Sequence, residues 1–314
     1  MCYRRRYLAE ITACQIFDPL NVIHSGKEIT TARNFLKPPP TSTMSASSSG
    51  TFAAGDTIQL RLEDGLERRY TIIKLFLPFT RSVVLLARPD QQTGPVVLKL
   101  YDPRYLNERH VLSQYRPSFP WDAKLEREAA ETRRREECPG AGDLQRLLWA
   151  EEDVAWNSER ALLWEEWFYR ECMNSFANES SAYDQMTSMQ GGAIPKLLGR
   201  GVVVDSERDI EVPALVLEYV EGISMQDAPH SVVRAATDAW AHLSQAVIRF
   251  NKLDIAHEDI NQTNILLSPD GGRAVIIDFG RARRGQPTMR GVDYDARRLE
   301  ELFRKKGLCI SSSG

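Results

Sequence analysis

Three polar residues in the last third of the chain have the types and spacing that phosphoryl transfer requires. The stretch HEDINQTN holds Asp259 and, five residues later, Asn264, and the stretch IIDFG holds Asp278. Asp259 is a candidate for the base that orients an acceptor hydroxyl. Asn264 and Asp278 offer an amide and a carboxylate oxygen, the hard ligands that Mg²⁺ prefers. The spacing therefore predicts a phosphoryl-transfer centre that uses Mg²⁺.

The segment between the two halves of this motif predicts a β-hairpin. Two apolar runs, NILLS and RAVIIDF, are separated by the turn residues Pro269 to Gly272. Such a hairpin would bring Asn264 and Asp278 together at its open end. Gly280 would then let the backbone turn away at once.

Helical periodicity flanks the hairpin on both sides. Apolar residues recur at steps of three and four between Ser231 and Phe250, which predicts a helix over that range. This stripe consists of Val233, Ala236, Trp240, Leu243, Val247 and Phe250. A shorter helix is predicted in DYDARRLEELFRKKG, residues 293–307.

The upstream half of the chain predicts an antiparallel sheet followed by helices. Four β-branched runs, TIQLRLED, RYTIIKLFLPF, SVVLLARPD and GPVVLKLYDPR, are broken by turn-type clusters, and Lys99 lies in the last run. Charged and Trp-rich segments then predict helices, with a further helix from Asn178. The tryptophans are interpreted as a packing face, with a ligand cage as the alternative. GVVVD and PALVLEYV predict two more strands.

Composition excludes several functional classes. The net charge is −3 and the sequence pI about 6.0, which argues against a nucleic-acid partner. The five cysteines are an odd number without a Cys-x-x-Cys pair, so neither a disulfide framework nor a zinc site is predicted, and a cytoplasmic location is expected, with the nucleus as the alternative. No apolar run is long enough for a membrane helix. The Pro- and Ser-rich end of residues 1–56 predicts a disordered leader and linker.

The combined motif resembles the catalytic and metal-binding loops of the protein-kinase-like superfamily. The phrase NESSAYDQMTSMQGGAIPKLLGRG, together with HEDINQTNILL and the Trp-rich segment, is similar to a group of uncharacterised fungal kinase-like proteins. The resemblance implies an α+β, bilobal kinase-like fold with an antiparallel-sheet small lobe over residues 57–220. A large helical insertion at about 103–170 would interrupt this lobe, and a shortened helical large lobe would cover residues 221–314.

The same resemblance assigns roles to further residues. ATP would bind with Mg²⁺, Lys99 would contact its α- and β-phosphates, and Glu179 would pair with Lys99. Three other glutamates, Glu165, Glu166 and Glu171, are alternatives for that pairing. The stretch LVLEYVEG resembles the hinge, with Leu217 as gatekeeper and the backbone of Glu218 and Val220 binding adenine. His257 would brace the catalytic loop. Lys99 has the alternative of an ordinary solvated strand lysine.

Several departures from the family pattern qualify the expected activity. The stretch KLFLPFTRSVVLL contains no glycine where a Gly-rich phosphate loop is expected, so a hairpin there would use Thr80, Ser82 and backbone N–H groups. Glu258 replaces the arginine that binds an activation-loop phosphate, and Asn261 replaces a lysine near the transferred phosphoryl. Either Asp293 or Asp295 is expected to brace the catalytic loop from the last helix.

Two classes of function follow from these residues. The first is an ATP- and Mg²⁺-dependent phosphotransferase acting on a hydroxyl of a protein Ser/Thr or of a small molecule. The alternative is a pseudokinase-type binding or scaffold protein, motivated by the missing glycines and the large insertion. The insertion itself is a candidate docking site for a protein partner.

Overall fold

The chain divides into two units, Met1–Phe52 and Ala53–Gly314, and the second contains all but one of the described residues. The computed structural model describes residues 52–90, 94–109, 118–149, 158–205, 207–268, 272–285 and 293–307. Residues 1–51 of the predicted leader lie outside these ranges.

Six strands form a closed antiparallel barrel. In chain order they are β1 (Thr57–Leu62), β2 (Glu67–Leu75), β3 (Val83–Pro89), β4 (Val96–Leu100), β5 (Leu197–Val203) and β6 (Pro213–Glu218). The order around the barrel is β1-β2-β3-β4-β6-β5, and β1 closes the ring by pairing with β5. The predicted antiparallel pairing is confirmed, whereas the closure is an addition to it. Alternate side chains of β1, beginning with Ile58, are buried, because successive residues of a strand point to opposite faces.

Five short strands lie after the barrel. They are β7 (Ile223–Ser224), β8 (Ile255–Ala256), β9 (Ile265–Leu267), β10 (Ala274–Ile276) and β11 (Arg283–Arg284). β9 and β10 pair antiparallel, with Ile265 opposite Ile276, so the predicted hairpin is confirmed. Residues 269–271 of its turn lie outside the described ranges. β8 pairs with β11 and thereby joins the two sides of the catalytic motif.

Six α-helices occur in the described residues. Three lie between β4 and β5, namely α1 (Ala123–Arg134), α2 (Ala141–Trp149) and α3 (Ser158–Gln185). Three follow β6, namely α4 (His230–Ala235), α5 (Thr237–Lys252) and α6 (Tyr294–Lys305). No helix among the described residues is long and apolar enough to cross a lipid bilayer. The predicted mixture of α and β structure is confirmed, and the division into two lobes stays a prediction.

Two helix boundaries differ from the sequence-based expectation. The helix predicted from Asn178 is the last part of α3, which begins at Ser158 and therefore includes Trp164 and Trp167. The helix predicted from Ser231 to Phe250 is two helices, because the backbone leaves helical geometry at Ala236 (φ −81°, ψ 40°). Apolar periodicity did not reveal the break, since both pieces bury the same stripe in one core.

The aromatic stripe of α3 is a packing face rather than a ligand cage. Trp164 stacks on Phe119 with a centroid distance of 4.5 Å, and Trp167 meets Trp164 edge-on at 5.5 Å. Trp156 and the side chain of Trp149 lie outside the part of the chain that the structure describes. These contacts attach the residues around Phe119 to the same helix that carries Glu179.

A buried ion pair strengthens this attachment. The guanidinium of Arg109 is fully buried and donates to both carboxylate oxygens of Glu165, at 2.7 and 2.6 Å. It also donates to the carbonyl of Pro103 at 2.5 Å and lies 4.1 Å above the ring of Phe168. Because α3 contributes Glu165 and Phe168, residues 103–109 after β4 are fixed to the helix.

Replacement of Arg109 by Ala should destabilise the protein strongly. Glu165 would remain buried without its cation, and breaking a buried pair in this way costs about 3–5 kcal/mol. Urea unfolding of both proteins gives the difference in free energy of unfolding. The control is Arg135→Ala, which removes an exposed pair with Glu137 and should cost under about 1 kcal/mol. Similar losses in the two variants would contradict the importance of the Arg109 pair.

Candidate active site

Lys99 of β4 is held between two carboxylates. Its Nζ lies 2.5 Å from Glu179 Oε2 and 2.6 Å from Asp278 Oδ1. Tyr101 OH donates to the same Glu179 oxygen at 2.6 Å. Lys99 is 5% exposed, so the alternative of a solvated strand lysine is wrong. β4, α3 and the end of the β9–β10 hairpin each contribute one member of this charged cluster.

The other glutamates considered for this pairing have different partners. Glu165 pairs with Arg109, as described above, and the remaining two candidates, Glu166 and Glu171, pair with arginines at 2.8 and 3.0 Å. Among these glutamates, Glu179 alone contacts Lys99.

The charged cluster shifts the pKa of each of its members. Burial alone would lower the pKa of Lys99, but Asp278 and Glu179 outweigh it and raise that pKa above its ordinary value. Burial raises the pKa of Glu179, although Lys99 opposes the shift. The surrounding protein partly desolvates the half-exposed Asp278 carboxylate and so acts to raise its pKa, but Lys99 lowers that pKa overall. Lys99 therefore stays a cation at neutral pH and can face nucleotide phosphates.

Asp259 and Asn264 are joined within one loop. Asn264 Nδ2 donates to the carbonyl of Asp259 at 3.0 Å, and the backbone N–H of Ile277 donates to the carbonyl of Asn264 at 3.0 Å. The first bond orients the amide of Asn264, and the second brings Asn264 next to the strand that leads into Asp278. The structure thus brings the predicted base and the two predicted metal ligands into one region.

Asn261 braces this loop, which the sequence did not predict. Its Nδ2 donates to the carbonyl of Asp259 at 3.1 Å, while its Oδ1 accepts the backbone N–H groups of Thr263 at 2.9 Å and Asn264 at 3.1 Å. A lysine would have donors but no acceptor for these N–H groups. The Asx-type spacing, in which a side chain bonds the backbone two or three residues later, was the available signal.

Asp295 fixes the start of the same loop. It is buried on α6 and accepts the backbone N–H groups of His257 at 2.6 Å and Glu258 at 3.1 Å. Asp293, the alternative, lies before the first turn of α6 and makes no capping bond. The bracing residue is therefore Asp295.

Edge-on aromatic contacts link the loop to helix α3. The ring of Phe279 lies 4.7 Å from that of His257 and 5.8 Å from that of Tyr183, which is on α3. His257 Nε2 also lies 3.1 Å from the carbonyl of Ile277. The predicted structural role of His257 agrees with these contacts, and the same helix that carries Glu179 is packed against the Asp-Phe-Gly segment.

The chain turns at Gly280, as predicted, because the backbone N–H of Ala282 donates to the carbonyl of Phe279 at 2.9 Å. Asp278 has φ +67°, a left-handed conformation, whereas Gly280 is not among the residues with positive φ. A Cβ at position 280 would lie 3.4 Å from Asp278 Oδ1 and 3.6 Å from Glu179 Oε2, which are ordinary van der Waals contacts. The predicted turn at Gly280 is therefore confirmed, but it does not use the positive φ that favours glycine.

A second ion pair connects the two sides of the motif. Glu258, which replaces the phosphate-binding arginine of the family pattern, lies 3.4 Å from Arg283 of β11.

The available ligands fit Mg²⁺ bound together with phosphate groups. Asp278 Oδ1 is engaged by Lys99, but its side chain is 43% exposed and carries a second oxygen, and Asn264 adds an amide oxygen. The described residues contain no cluster of three His, Cys, Asp or Glu that could hold a metal by themselves. Two protein ligands completed by substrate oxygens and water are typical of Mg²⁺ sites with nucleotides.

The predicted hinge residues lie at the end of β6. Leu217 is buried opposite Val97 of β4, and Glu218, the last residue of β6, pairs with Val96. Glu218 Oε2 accepts the backbone N–H of Lys196 at 2.9 Å, so its side chain is engaged. Val220 follows two residues later and is buried. The adenine contacts of Glu218 and Val220 stay predictions.

Comparison with known protein families supports the prediction that this protein is a kinase. Residues 184–310 match the model of the lipopolysaccharide kinase (Kdo/WaaP) family. This stretch is less than half of the chain. It includes Asp259, Asn264 and Asp278 but not Lys99 or Glu179. The match supports a kinase-like superfamily for the chain.

Two curated relatives are each described as a 3-deoxy-D-manno-octulosonic acid kinase, from Xanthomonas euvesicatoria pv. vesicatoria and Xanthomonas axonopodis pv. citri. Each is 30% identical over 92 residues, which are 29% of this chain and 36% of the relative. The aligned stretch thus spans little more than a third of the relatives' length. The family match and these relatives support a kinase enzyme, and the resemblance to fungal proteins stays a prediction.

Two solved structures are similar to the chain. Vaccinia related kinase 3 has a TM-score of 0.38 and 17% identity, with coverage of 78% of this chain and 56% of that one. A mutant kinase domain of Mycobacterium tuberculosis PknI has a TM-score of 0.37 and 14% identity, with coverage of 74% and 63%.

Replacement of Asp295 by Ala should loosen the catalytic loop. The backbone N–H groups of His257 and Glu258 would lose a charged acceptor in a buried place, a loss of about 3 kcal/mol for the two bonds. Calorimetric unfolding should show a clear decrease in the melting temperature. Asp293→Ala, two residues earlier and just before α6, is the control and should melt nearly like the unmodified protein, because this side chain makes no capping bond. Equal melting temperatures for the two variants would refute the bracing role of Asp295.

Proposed function

We propose that this protein is an ATP- and Mg²⁺-dependent phosphotransferase that moves the γ-phosphoryl group of ATP to a hydroxyl. The arrangement of Lys99 between Glu179 and Asp278 carries the proposal. A buried lysine between two carboxylates is costly to assemble for stability alone, because each charge loses its hydration. Asp278 follows Ile277, whose backbone N–H donates to the carbonyl of Asn264, so the cluster is joined to the loop of Asp259 and Asn264. These are the parts that phosphoryl transfer requires.

Each residue has a distinct task in this proposal. Lys99 contacts the α- and β-phosphates, and Glu179 with Tyr101 keeps its ammonium in place. Asn264 and Asp278 hold Mg²⁺, which neutralises charge on the phosphate oxygens. The backbone of Glu218 and Val220 binds adenine.

Asp259 acts on the acceptor. Its carboxylate accepts a hydrogen bond from the acceptor hydroxyl and orients the oxygen toward the γ-phosphorus. As the new O–P bond forms, the bond from phosphorus to the bridging oxygen of ADP breaks and the hydroxyl proton passes to Asp259. Asn261 and Asp295 hold the loop during this step by the bonds described above.

The acceptor we favour is a hydroxyl of a small molecule, with a sugar acid as the first choice. The names of the family and of the two relatives support this choice. A protein Ser/Thr hydroxyl is the second choice, because the same geometry serves any alcohol that reaches Asp259. We also propose a cytoplasmic or nuclear location, without nucleic-acid or membrane partners, and a protein-docking role for the insertion at about 103–170.

Asp259→Asn should abolish turnover and leave nucleotide binding nearly unchanged. The amide keeps the shape of the carboxylate but cannot take the proton, and loss of a general base costs about 10²–10⁴-fold in rate. Transfer from labelled ATP to a panel of sugar acids, other small alcohols and generic proteins measures turnover. Titration calorimetry measures ATP affinity.

The matched control is Asp238→Asn, an exposed change in the first turn of α5 that should retain full activity. Full activity of the Asp259 variant would refute the assigned role of this carboxylate.

ATP should raise the melting temperature of the protein more with Mg²⁺ than with a chelator. At about 100 times the dissociation constant, bound ligand adds about 2.7 kcal/mol of stability. Asp278→Asn weakens the metal site and should reduce the Mg²⁺-dependent part of the shift. The alternative of a scaffold rests on the absence of glycine in the loop between β2 and β3 and on the large predicted insertion. It would be favoured if millimolar ATP caused no Mg²⁺-dependent shift in the unmodified protein.

A further inference from the structure

The loop between β2 and β3 lies at the Lys99 end of the barrel. It comprises residues 76–82, FLPFTRS, and leads directly into β3. In the register of β3 with β4, Val84 is opposite Lys99. The loop therefore ends two residues before the position that faces the phosphate-binding lysine. We refer to residues 76–82 as the phosphate loop.

The phosphate loop is anchored to the first part of the insertion. The backbone N–H of Asn107 donates to the carbonyl of Thr80 at 2.8 Å. The ring of Phe79 meets Tyr105 edge-on with a centroid distance of 5.6 Å. Both partners belong to residues 103–109, two short 3₁₀ turns that follow β4. Backbone bonding and aromatic packing thus hold the loop from the side of the insertion.

Arg81 adds an electrostatic anchor with two partners. Its guanidinium lies 3.0 Å from Glu171 on α3 and 3.3 Å from Glu108 in the anchoring turns. The side chains of Arg81, Glu171 and Glu108 are 30%, 16% and 32% exposed, so water screens these pairs less than it screens fully exposed ones. Burial raises the pKa of Glu171, while the charge of Arg81 opposes the shift.

Helix α3 forms an ion pair with Arg81 and also positions Lys99. Glu171 and Glu179 are eight residues apart on α3, about two helical turns, and Glu179 bonds Lys99. Arg81 consequently ties the phosphate loop to the same rigid element that orients the lysine. Glu108 is one residue from Arg109, whose buried pair with Glu165 fixes the anchoring turns to α3 as well.

We propose that Arg81 is a positioning residue that holds the phosphate loop in place for the nucleotide phosphates, with residues 103–109 of the insertion as its anchor. A glycine-rich loop orders around phosphates when they bind, which costs conformational entropy. Here the ion pairs and the contacts of Thr80 and Phe79 order the loop before the nucleotide binds. Binding therefore costs less conformational entropy. This explains how the site can dispense with glycines and gives the start of the insertion a function. The phosphate part of this inference rests on the proposed function, whereas the anchoring part does not.

Hydrogen exchange of the nucleotide-free protein tests the anchor. In Arg81→Ala the amides of residues 76–82 should exchange at least about tenfold faster than in the unmodified protein, because the loop loses its ionic anchor. Arg61→Ala is the control, since it removes a barrel ion pair with Glu211 in which both side chains are more exposed. The loop of the control should exchange at the original rate. Unchanged exchange in Arg81→Ala would overturn the anchoring role.

Charge reversal separates the ion pair from other effects of the mutation. Arg81→Glu alone faces Glu171 and Glu108 and should accelerate loop exchange further. Combination with Glu171→Arg restores one pair of opposite charges and should slow exchange again. If the double variant exchanges as fast as Arg81→Glu, direct pairing of positions 81 and 171 does not hold the loop.

Ligand binding tests the phosphate part of the proposal. Arg81→Ala should bind ATP with Mg²⁺ about tenfold more weakly, while adenosine, which lacks phosphates, should bind within about twofold of the original affinity. Equal weakening of both ligands, or of neither, would overturn a phosphate-specific role for Arg81. If the unmodified protein binds no ATP, the proposed function and the phosphate role both fail, and the exchange experiment still decides the anchor.

Discussion

The buried ammonium of Lys99 between Glu179 and Asp278 is the interaction on which the site depends. A charge removed from water is tolerated only when opposite charges and hydrogen bonds surround it. Three elements must therefore be in place together, namely the barrel strand β4, the helix α3 and the segment after the β9–β10 hairpin. Displacement of any one would leave a buried charge without its partner. The Lys99 cluster thus forms only when these three elements are folded correctly, and its residues belong to the candidate active site.

Three acidic residues of helix α3 form ion pairs with different parts of the structure. Glu165 forms an ion pair with Arg109, Glu171 with Arg81, and Glu179 with Lys99. These cations come from the anchoring turns, the phosphate loop and the barrel, respectively. One helix consequently fixes three separate pieces of chain relative to one another. α3 begins at Ser158, so it also connects the range predicted as a helical insertion to this organisation.

Local sequence patterns predicted the elements that depend on neighbouring residues. The hairpin between Asn264 and Asp278 and the strand with Lys99 followed from short apolar runs and turn residues. The pairing of β1 with β5 did not, because it joins segments far apart in sequence and leaves no periodic signal. The same limit applies to Arg81, whose partners lie on other elements. The spacing of motif residues in the sequence can predict the residues of a site, but it cannot predict which residues far away in the sequence hold them in place.

The residues around the candidate base show how support within the chain can link two segments of the predicted site. An arginine at position 258 would need an added anion, whereas Glu258 finds a cation in Arg283, already present in the chain. Pairing of β8 with β11 places Arg283 opposite Ala256, so backbone bonds and the ion pair act between the same two segments. These segments lead to Asp259 on one side and follow Asp278 on the other. The observed link between the candidate base and the candidate metal ligand therefore requires no phosphate group.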